Sequence, residues 1–434
     1  MLTDNFELTD EFEEAFNKIN NSNQSFFITG KAGTGKTSFL KYLKANSKKK
    51  IVFLAPTGIA AVNCEGVTIH SFFRFPLGSI LYEDKRIIKF KNNSEKRNIM
   101  EKLDTVVIDE VSMVRADILD AIDVSLRRNC NNNVLFGGKQ IILIGDIFQL
   151  EPIQNKDRIE HSLFETNTNN PFFFNAMSYK DKKFDVINFN KVYRQSDNEF
   201  IEILDKIRKN NHSFLDLEII NQRVFSSDNI GDNEYVINLT SRNDIASRIN
   251  NQKLNLLPDK TFLFEGKIES EYDLSKSPTD VNLCLKVGAQ VMFIRNDVEH
   301  RWVNGTIGKI CELNSENIKV ELQSGNIYDV EKVVWENIKY SFDKEKMTIE
   351  EKVVGKFTQF PLKLAWAITI HKSQGLTFDK VVIDIGGGAF ASGQMYVALS
   401  RCKTLNGIYL KTPIRDKDII VDSSLIEFSE TINI

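Results

Sequence analysis

The sequence predicts an α/β fold built as two units, each a parallel sheet covered by helices, the second interrupted by a run of β-strands. Three observations carry this reading. Short apolar strands alternate with helical stretches through the first third of the chain. A second alternation begins near residue 191. Between about 260 and 350 the texture changes to closely spaced strand-like runs broken by Gly and Asn. With 434 residues and ~150 residues per domain, the chain has room for two to four domains.

In order, residues 6–20 place Phe6, Phe12, Phe16 and Ile19 at mostly helical spacing. Ser25 to Thr29 is a short apolar strand, and SFLKYLKAN after it reads as a helix. IVFLAP (51–56) is a second buried strand leading through a small-residue turn into a helical stretch. TVVIDE (105–110), ADILDAIDVSLRRN (116–129) and QIILIGD (140–146) continue as strand, helix and strand. Apolar strands alternating with helices indicate a parallel sheet covered on both faces.

The segment 73–97 breaks this pattern with Arg74, Lys85, Arg86, Lys89, Lys91, Lys96 and Arg97, and reads as an excursion from the sheet. In the second unit, YVINLT (235–240) is a strand, NDIASRINNQKL a helix and KVVIDI (380–385) a strand. Between them AQVMFI, GTIGKICEL, NIKVEL and NIYDVEKVVW read as strands of an inserted β domain over 260–350. Residues 1–190 and 191–434 are therefore the two expected units.

Composition narrows the function classes. Fifty-six Lys and Arg against 59 Asp and Glu give a net charge of −3, which excludes a uniformly basic surface and confines any nucleic-acid contact to a local groove. The five cysteines, Cys64, Cys130, Cys284, Cys311 and Cys402, form no CxxC pair. They fit a reduced compartment and argue against a zinc site. No apolar run approaches the ~20 residues that span a bilayer, so no membrane partner is expected. The acidic start, with Asp4, Glu7, Asp10, Glu11, Glu13 and Glu14, argues against a secretory signal or a mitochondrial presequence. A bacterial-type cytoplasm is the expected location.

The chemistry is carried first by Gly30-Lys31-Ala32-Gly33-Thr34-Gly35-Lys36-Thr37, which matches GxxxxGK[ST] between a strand and a helix. Glycines at 30, 33 and 35 let backbone N–H groups wrap phosphates, Lys36 neutralises β/γ charge, and the Thr37 hydroxyl is a Mg²⁺ ligand. The buried strand ending Asp109-Glu110 supplies two further parts. Asp109 can hold the Mg²⁺ shell, and Glu110 can orient or deprotonate an attacking water. The pair predicts hydrolysis of ATP rather than transfer to a second substrate. Gln149, in GDIFQLEP (145–152) after the third strand, is placed to sense a γ-phosphate.

These stretches, with APTGIAA (55–61), TIHSFF (68–73), DEVSM (109–113), YRQ (193–195), TIHKSQGLTFD (369–379) and YVALSRC (396–402), occur in one order along the chain. Together they resemble superfamily 1B DNA helicases, and most closely the Pif-one (petite-integration-frequency) family. The stretch between the second and third motifs resembles that family's signature segment. The resemblance runs from about residue 8 to about residue 412.

The resemblance implies two RecA-like P-loop domains with ATP between them, a small wedge insertion at 73–97 and an inserted β domain similar to an SRC-homology-3 barrel. It implies that Arg194 and Arg401 stabilise charge on the transferring phosphoryl group, a role typically worth ~10³–10⁵ in rate. Thr34 joins the phosphate-binding set. DNA contacts are implied at Pro56, Thr57, Gly58, Thr68, His70 and Phe72, and at Thr369, His371, Lys372, Ser373 and Gln374. One departure is clear: the family reads adenine with a Gln near the N-terminus, where this chain has Phe12. Gln24, just upstream of the phosphate loop, is the alternative reader. KVGAQ (286–290) and VNGT (303–306) resemble turn-forming, DNA-facing features of relatives.

The activity so implied is ATP- and Mg²⁺-dependent 5′→3′ translocation on single-stranded DNA, with unwinding at single-strand/duplex junctions. G-quadruplexes and RNA–DNA hybrids are implied substrates, and a monomer the implied active form. An ATP-driven translocase that strips proteins without unwinding is a second reading. An RNA helicase is a third, because motifs that grip the backbone do not reveal tolerance of a 2′-hydroxyl. The residues leave these open.

Overall fold

The computed structural model describes residues 9–76, 78–152, 170–195, 197–225, 235–270, 272, 274, 277–343, 348–386 and 388–434. The chain divides into two compact units. One comprises Met1–Tyr193, Ile338–Lys352 and Asp422–Ile434, and the other Arg194–Asn337 and Val353–Val421.

In the first unit, helix α1 (Asp10–Asn21) starts where the Thr9 side chain accepts the Phe12 N–H, with Asp10, Glu11 and Glu13 complementing the helix dipole. Its buried face is Phe12, Ala15 and Ile19. There follow β1 (Ser25–Gly30), α2 (Lys36–Asn46), β2 (Ile51–Ala55), α3 (Gly58–Asn63), β3 (Val67–Thr68), α4 (Ile69–Phe73) and α5 (Glu95–Lys102). The alternation continues through β4 (Thr105–Ile108), α6 (Ala116–Cys130), β5 (Gln140–Ile144), α7 (Met177–Asp181) and β6 (Phe184–Phe189).

The strands form one sheet in the order β3-β2-β4-β5-β1-β6, and every pairing is parallel. All residues of β1, β4 and β5 are buried, which is why they read as unbroken apolar runs. Phe12, Phe39 and Phe189 pack against one another on one face, with ring centroids 4.7–5.5 Å apart.

The excursion after α4 is packed onto the domain. Arg128 on α6 donates to the carbonyls of Glu83, Asp84 and Ile87. Asn129 accepts the Phe90 N–H and donates to Ile88 O, and Ile80, Ile87 and Phe90 are buried. Arg74, Lys85, Arg86, Lys89 and Lys91 are exposed. Arg97 is not part of that basic surface: it is buried on α5 and paired with Glu101 at 2.9 Å.

The expected division at 190/191 is corrected in two places. The C-terminal helix Ser423–Thr431 belongs to the first unit, because Phe428 stacks on Phe174 with centroids 4.1 Å apart and Asn170 donates to Ser424 Oγ. Residues 338–352 also belong there. Tyr340 is buried, its hydroxyl accepts the Phe53 N–H at 3.3 Å, and its ring meets Phe72 edge-on.

In the second unit, α8 (Asn198–Arg208) and α9 (Phe214–Asn221) precede β7 (Ile237–Thr240) and α10 (Asn243–Leu256). The inserted strands are β8 (Phe262–Glu265), β9 (Lys267–Ser270), β10 (Asn282–Leu285), β11 (Gln290–Phe293), β12 (Ile307–Leu313), β13 (Ile318–Leu322) and β14 (Ile327–Val330). The insertion continues through β15 (Val333–Asp343), β16 (Thr348–Gln359) and β17 (Leu362–Leu364). It thus runs past residue 350, since β17 completes a five-stranded sheet in the order β14-β13-β12-β11-β17. Trp302 stacks on Phe293 at 4.2 Å and Trp335 on Phe357 at 5.7 Å, so both tryptophans are core residues. Buried Gln290 of KVGAQ donates to Val236 O and Ala365 O, tying the insertion to the parallel sheet. That sheet adds β18 (Ala367–Thr369), β19 (Val381–Asp384) and β20 (Ile408–Leu410) in the order β18-β7-β19-β20, again all parallel.

Two outcomes follow from this packing. A Cβ at Gly66 would lie 2.2 Å from Phe53 O, a backbone atom of β2 that cannot yield. Gly66→Ala should therefore destabilise the first unit by about 1–3 kcal/mol, read from the urea midpoint. On β17, burial and then the neighbouring Lys372 charge push the Lys363 ammonium down to about 8. In the unfolded chain the same group keeps its proton to about 10.4. The unfolded state therefore holds more protons between those values, and stability should rise with pH across that window. In Lys363→Met the rise should be smaller than in the wild type when both are unfolded by urea at pH values from 7.5 to ~10.

Candidate functional site

Because every strand of the first sheet runs in the same direction, the segments after β1, β2, β4 and β5 emerge at one edge. That edge is where open α/β sheets bind ligands. The phosphate loop follows β1 with Gly30, Gly33 and Gly35 at φ +151°, +84° and +82°, values that L side chains rarely adopt. A Cβ on Gly35 would also lie 2.8 Å from the Phe12 ring. Lys36 opens α2, and its Nζ donates to Gly30 O at 2.6 Å and Lys31 O at 2.9 Å, holding the ammonium over the loop. Thr34 is buried and donates to Lys31 O, while Thr37 is exposed.

Asp109 leaves β4 buried, its N–H bonded to Leu54 O. Burial, with the adjacent Glu110 carboxylate second, raises the Asp109 carboxyl above its usual range, and Lys36 opposes the rise. Glu110 sits at φ 50°, ψ 47°, a left-handed conformation uncommon for a side-chain-bearing residue and typical of functional sites. Gln149 follows β5, is buried, and its N–H bonds Asp146 O. Among the described residues no cluster of three His, Cys, Asp or Glu side chains could hold a metal alone. The hard oxygen donors of Thr37 and Asp109 fit Mg²⁺, which usually takes one or two protein ligands and completes its shell with substrate phosphates and water.

Two positions bear on how the base is read. Phe12 stands where the adenine-reading Gln was expected and is a core residue, packed on Phe39 and Phe189. The expectation for Gln24 is corrected. It precedes β1 and its amide donates to Asp185 at the start of β6, at the opposite end of the strand from the phosphate loop. Six strand residues at ~3.3 Å each separate the two ends. A residue that sequence reading missed is Tyr193. Its N–H donates to Gly33 O at 2.9 Å, and its ring, 45% exposed, lies beside Gly35. Its signal in the sequence is the aromatic residue directly before Arg194 in YRQ (193–195).

Of the DNA-contact residues expected in this unit, Thr57 and Thr68 cap α3 and α4, accepting the N–H groups of Ala60 and Ser71. Gly58 is the first residue of α3. Pro56, Thr57 and His70 line one pocket of about 170 Å³ together with Met113, Val114 and Arg115, the residues directly after Ser112 of DEVSM. Burial, and then the Arg115 guanidinium, hold His70 below its ordinary value. Phe72 does not join them. Its ring is buried against Phe73 and Tyr340 with the Lys96 ammonium 4.5 Å from its centroid. The expectation of a base contact from Phe72 is therefore corrected to a core role.

In the second unit the motif residues bind one another. Arg194 Nη1 and Gln195 Nε2 both donate to Ser400 O. Arg401 is 1% exposed. Its guanidinium donates to Val397 O, Ser373 O, Leu376 O and Ser400 Oγ. It thus ties the helix Gln394–Leu399 to the HKSQG turn. Thr369 Oγ1 accepts the Lys372 N–H, and buried Ser373 donates to Ile370 O. Lys372 is exposed, and His371 is half-buried and lowered by desolvation. The Gln374 amide nitrogen is buried with no hydrogen-bond partner among the described residues, a condition that is rare and costly unless a ligand relieves it. No described helix is long and apolar enough to cross a membrane.

Comparison with known proteins places this arrangement. A profile of the PIF1-like helicase family matches residues 7–220. The chain is 31% identical over 420 residues to the ATP-dependent DNA helicase Pif1 of Bdellovibrio bacteriovorus, covering 94% of this chain and 88% of that protein. Among solved structures, Pif1 from a Bacteroides species in complex with ADP-AlF4 is 37% identical with a TM-score of 0.91, over 99% of this chain and 98% of that one. Bacteroides Pif1 bound to ssDNA is 38% identical with a TM-score of 0.70, over 98% and 97%. The phosphate loop, the paired carboxylates after β4 and this likeness over nearly the whole chain agree: the protein belongs to the PIF1-like helicase family.

Proposed function

We propose that this protein is an ATP- and Mg²⁺-dependent DNA helicase that moves 5′→3′ on single-stranded DNA and parts the duplex at a junction. The observation that carries the reading is the emergence of Lys36, Asp109, Glu110 and Gln149 at the same sheet edge as Pro56, Thr57 and His70. The phosphate loop binds the nucleotide, with Lys36 leaving its loop carbonyls for phosphate oxygens. Thr37 and Asp109 would hold Mg²⁺, which neutralises phosphate charge when bound. Glu110 orients the attacking water and accepts its proton, and Gln149 reports the γ-phosphate. Tyr193 offers an aromatic face for the base in place of the amide contact that Phe12 cannot make.

Arg194 and Arg401 supply positive charge to the transferring phosphoryl group in this reading. Arg401 would first exchange carbonyl partners for phosphate oxygens, so hydrolysis depends on rearrangement of the HKSQG turn. Thr369, His371, Lys372, Ser373 and Gln374 grip the strand's backbone, and the segment 73–97 is the wedge, its exposed cations Arg74, Lys85, Arg86, Lys89 and Lys91 facing the parting duplex. G-quadruplexes and RNA–DNA hybrids are substrates in the same reading, the active form is a monomer, and the work is done on nucleoid DNA in a bacterial-type cytoplasm. The inserted β domain serves as the SRC-homology-3-like element.

Three outcomes test this. Lys36→Ala should lower ATP turnover by about 10²–10³-fold with the urea midpoint unchanged, and near-wild-type turnover would refute the site. Glu110→Gln should bind ATP and DNA yet hydrolyse about 10²–10⁴-fold more slowly in single-turnover assays. On two partial duplexes differing only in a 5′ or a 3′ single-stranded tail, ATP should drive displacement from the 5′-tailed one alone. ATPase stimulated by DNA without displacement from either would leave a translocase.

A further inference from the structure

We infer that Gln195 is a positioning residue for hydrolysis: its amide clamps the backbone on both sides of Arg401, so that the guanidinium can change partners while the chain carrying it stays in place. The inference rests on the helicase reading above, which gives Arg401 its role at the transferring phosphoryl group, and adds the part that aims it. Gln195 is buried. Its Nε2 donates to Ser400 O at 3.1 Å and to Cys402 O at 3.2 Å, the carbonyls of the residues before and after Arg401. A side-chain amide nitrogen carries two hydrogens, and both go to this one stretch. The carbonyl between them, Arg401 O, accepts the Phe378 N–H at 2.9 Å. The carbonyls of 400, 401 and 402 are thus all fixed from outside the helix Gln394–Leu399 that leads into them.

The Arg401 side chain is held differently. Its shortest bonds, to Val397 O at 2.8 Å and Ser400 Oγ at 2.7 Å, are to its own segment. Those to the HKSQG turn, to Ser373 O at 3.3 Å and Leu376 O at 3.4 Å, lie beyond the usual N–H···O range of ~2.7–3.2 Å. The contacts most easily given up are therefore the ones to the turn, whereas the Gln195 bonds fall within that range. A long side chain delivers its charge to a defined point only when its root is locked by its supporting shell. Gln195 supplies that lock.

Arg194 meets the same carbonyl. Its Nη1 donates to Ser400 O at 3.3 Å, beside the Gln195 bond, and a carbonyl oxygen has lone pairs for both. Because Gln195 directly follows Arg194 in the chain, the clamp also sets Arg401 at a fixed place relative to Arg194. Loss of the amide would take a donor from each of two carbonyls and free the root of Arg401. The developing charge of the transition state needs a placed cation more than the ground state does, so the loss should appear in turnover and not in nucleotide binding.

The test is Gln195→Met in the full chain, which keeps the side-chain length and removes the amide. With single-stranded DNA saturating, kcat should fall by about 10–100-fold while KM for ATP stays within about twofold of the wild type. ADP with aluminium fluoride, a mimic of the transferring phosphoryl group, should bind the variant about tenfold more weakly, and ADP alone should bind it as it binds the wild type. A residue that only supports the fold would weaken both complexes alike. In the Arg401→Ala background, Gln195→Met should cost no more than about twofold in single-turnover hydrolysis, because an amide acting through Arg401 has nothing left to aim. Wild-type turnover in Gln195→Met, or its full loss repeated in the Arg401→Ala background, overturns the positioning role and leaves the helicase reading standing. Wild-type turnover in Arg401→Ala overturns the role given to that arginine, and this inference with it. Should Arg401→Ala not fold, the two ADP complexes of Gln195→Met decide alone, and equal weakening of both, or of neither, overturns the inference.

Discussion

Parallel hydrogen bonding between β1 and its two neighbours, β5 and β6, is the constraint on which the rest of the first unit depends. A parallel strand cannot return by a tight turn, so each is followed by a crossover on a sheet face, and all strands end at one edge. Chemistry that needs a phosphate loop, two carboxylates and an amide sensor can then be written in three distant stretches of sequence. An antiparallel neighbour in the middle would send one of them to the far edge. The second unit repeats the device with four parallel strands, and its HKSQG turn follows β18 as the phosphate loop follows β1.

Burial at that edge does chemical work as well as packing. Asp109 is desolvated and faces a like charge in Glu110, so its ionised form is disfavoured until cations approach. Glu110 is held in a left-handed conformation at the turn leading to Met113. Such backbone persists only where the surroundings over-determine it, here by β4 on one side and buried Val111 and Ser112 on the other. The same turn ends at Met113, which lines the pocket with Pro56 and His70.

The cationic side chains illustrate how burial redistributes roles. Arg401 satisfies carbonyls on two segments, and removing it would orphan buried acceptors as well as delete a charge. Arg128 does the same for the excursion, converting a polar, basic stretch into a packed strap. Arg97 lies in the same basic run as Lys85 and Lys91 but points into the domain, where Glu101 pairs with it.

By itself the sequence determined β1, β2, β4 and β5 of the first parallel sheet and β7 and β19 of the second, because a strand buried on both faces is apolar nearly throughout. The short or half-buried β3, β6, β18 and β20 carried no such run. It also determined the phosphate loop and paired carboxylates, whose local geometry needs particular residue types at fixed spacing. Contacts between residues far apart in the chain were decided only by the tertiary structure. Phe428 stacking on Phe174 brought the C-terminal helix to the first unit, and Tyr340 bonding Phe53 brought residues 338–352 there. Phe72 moved from a base platform to the core because Tyr340 covers it. Gln24 lost its place at the nucleotide because strand direction sets it at the wrong end of β1. Short-range pattern records what a residue requires of its immediate neighbours; which surface later covers it depends on packing across the whole chain, and no local spacing encodes that.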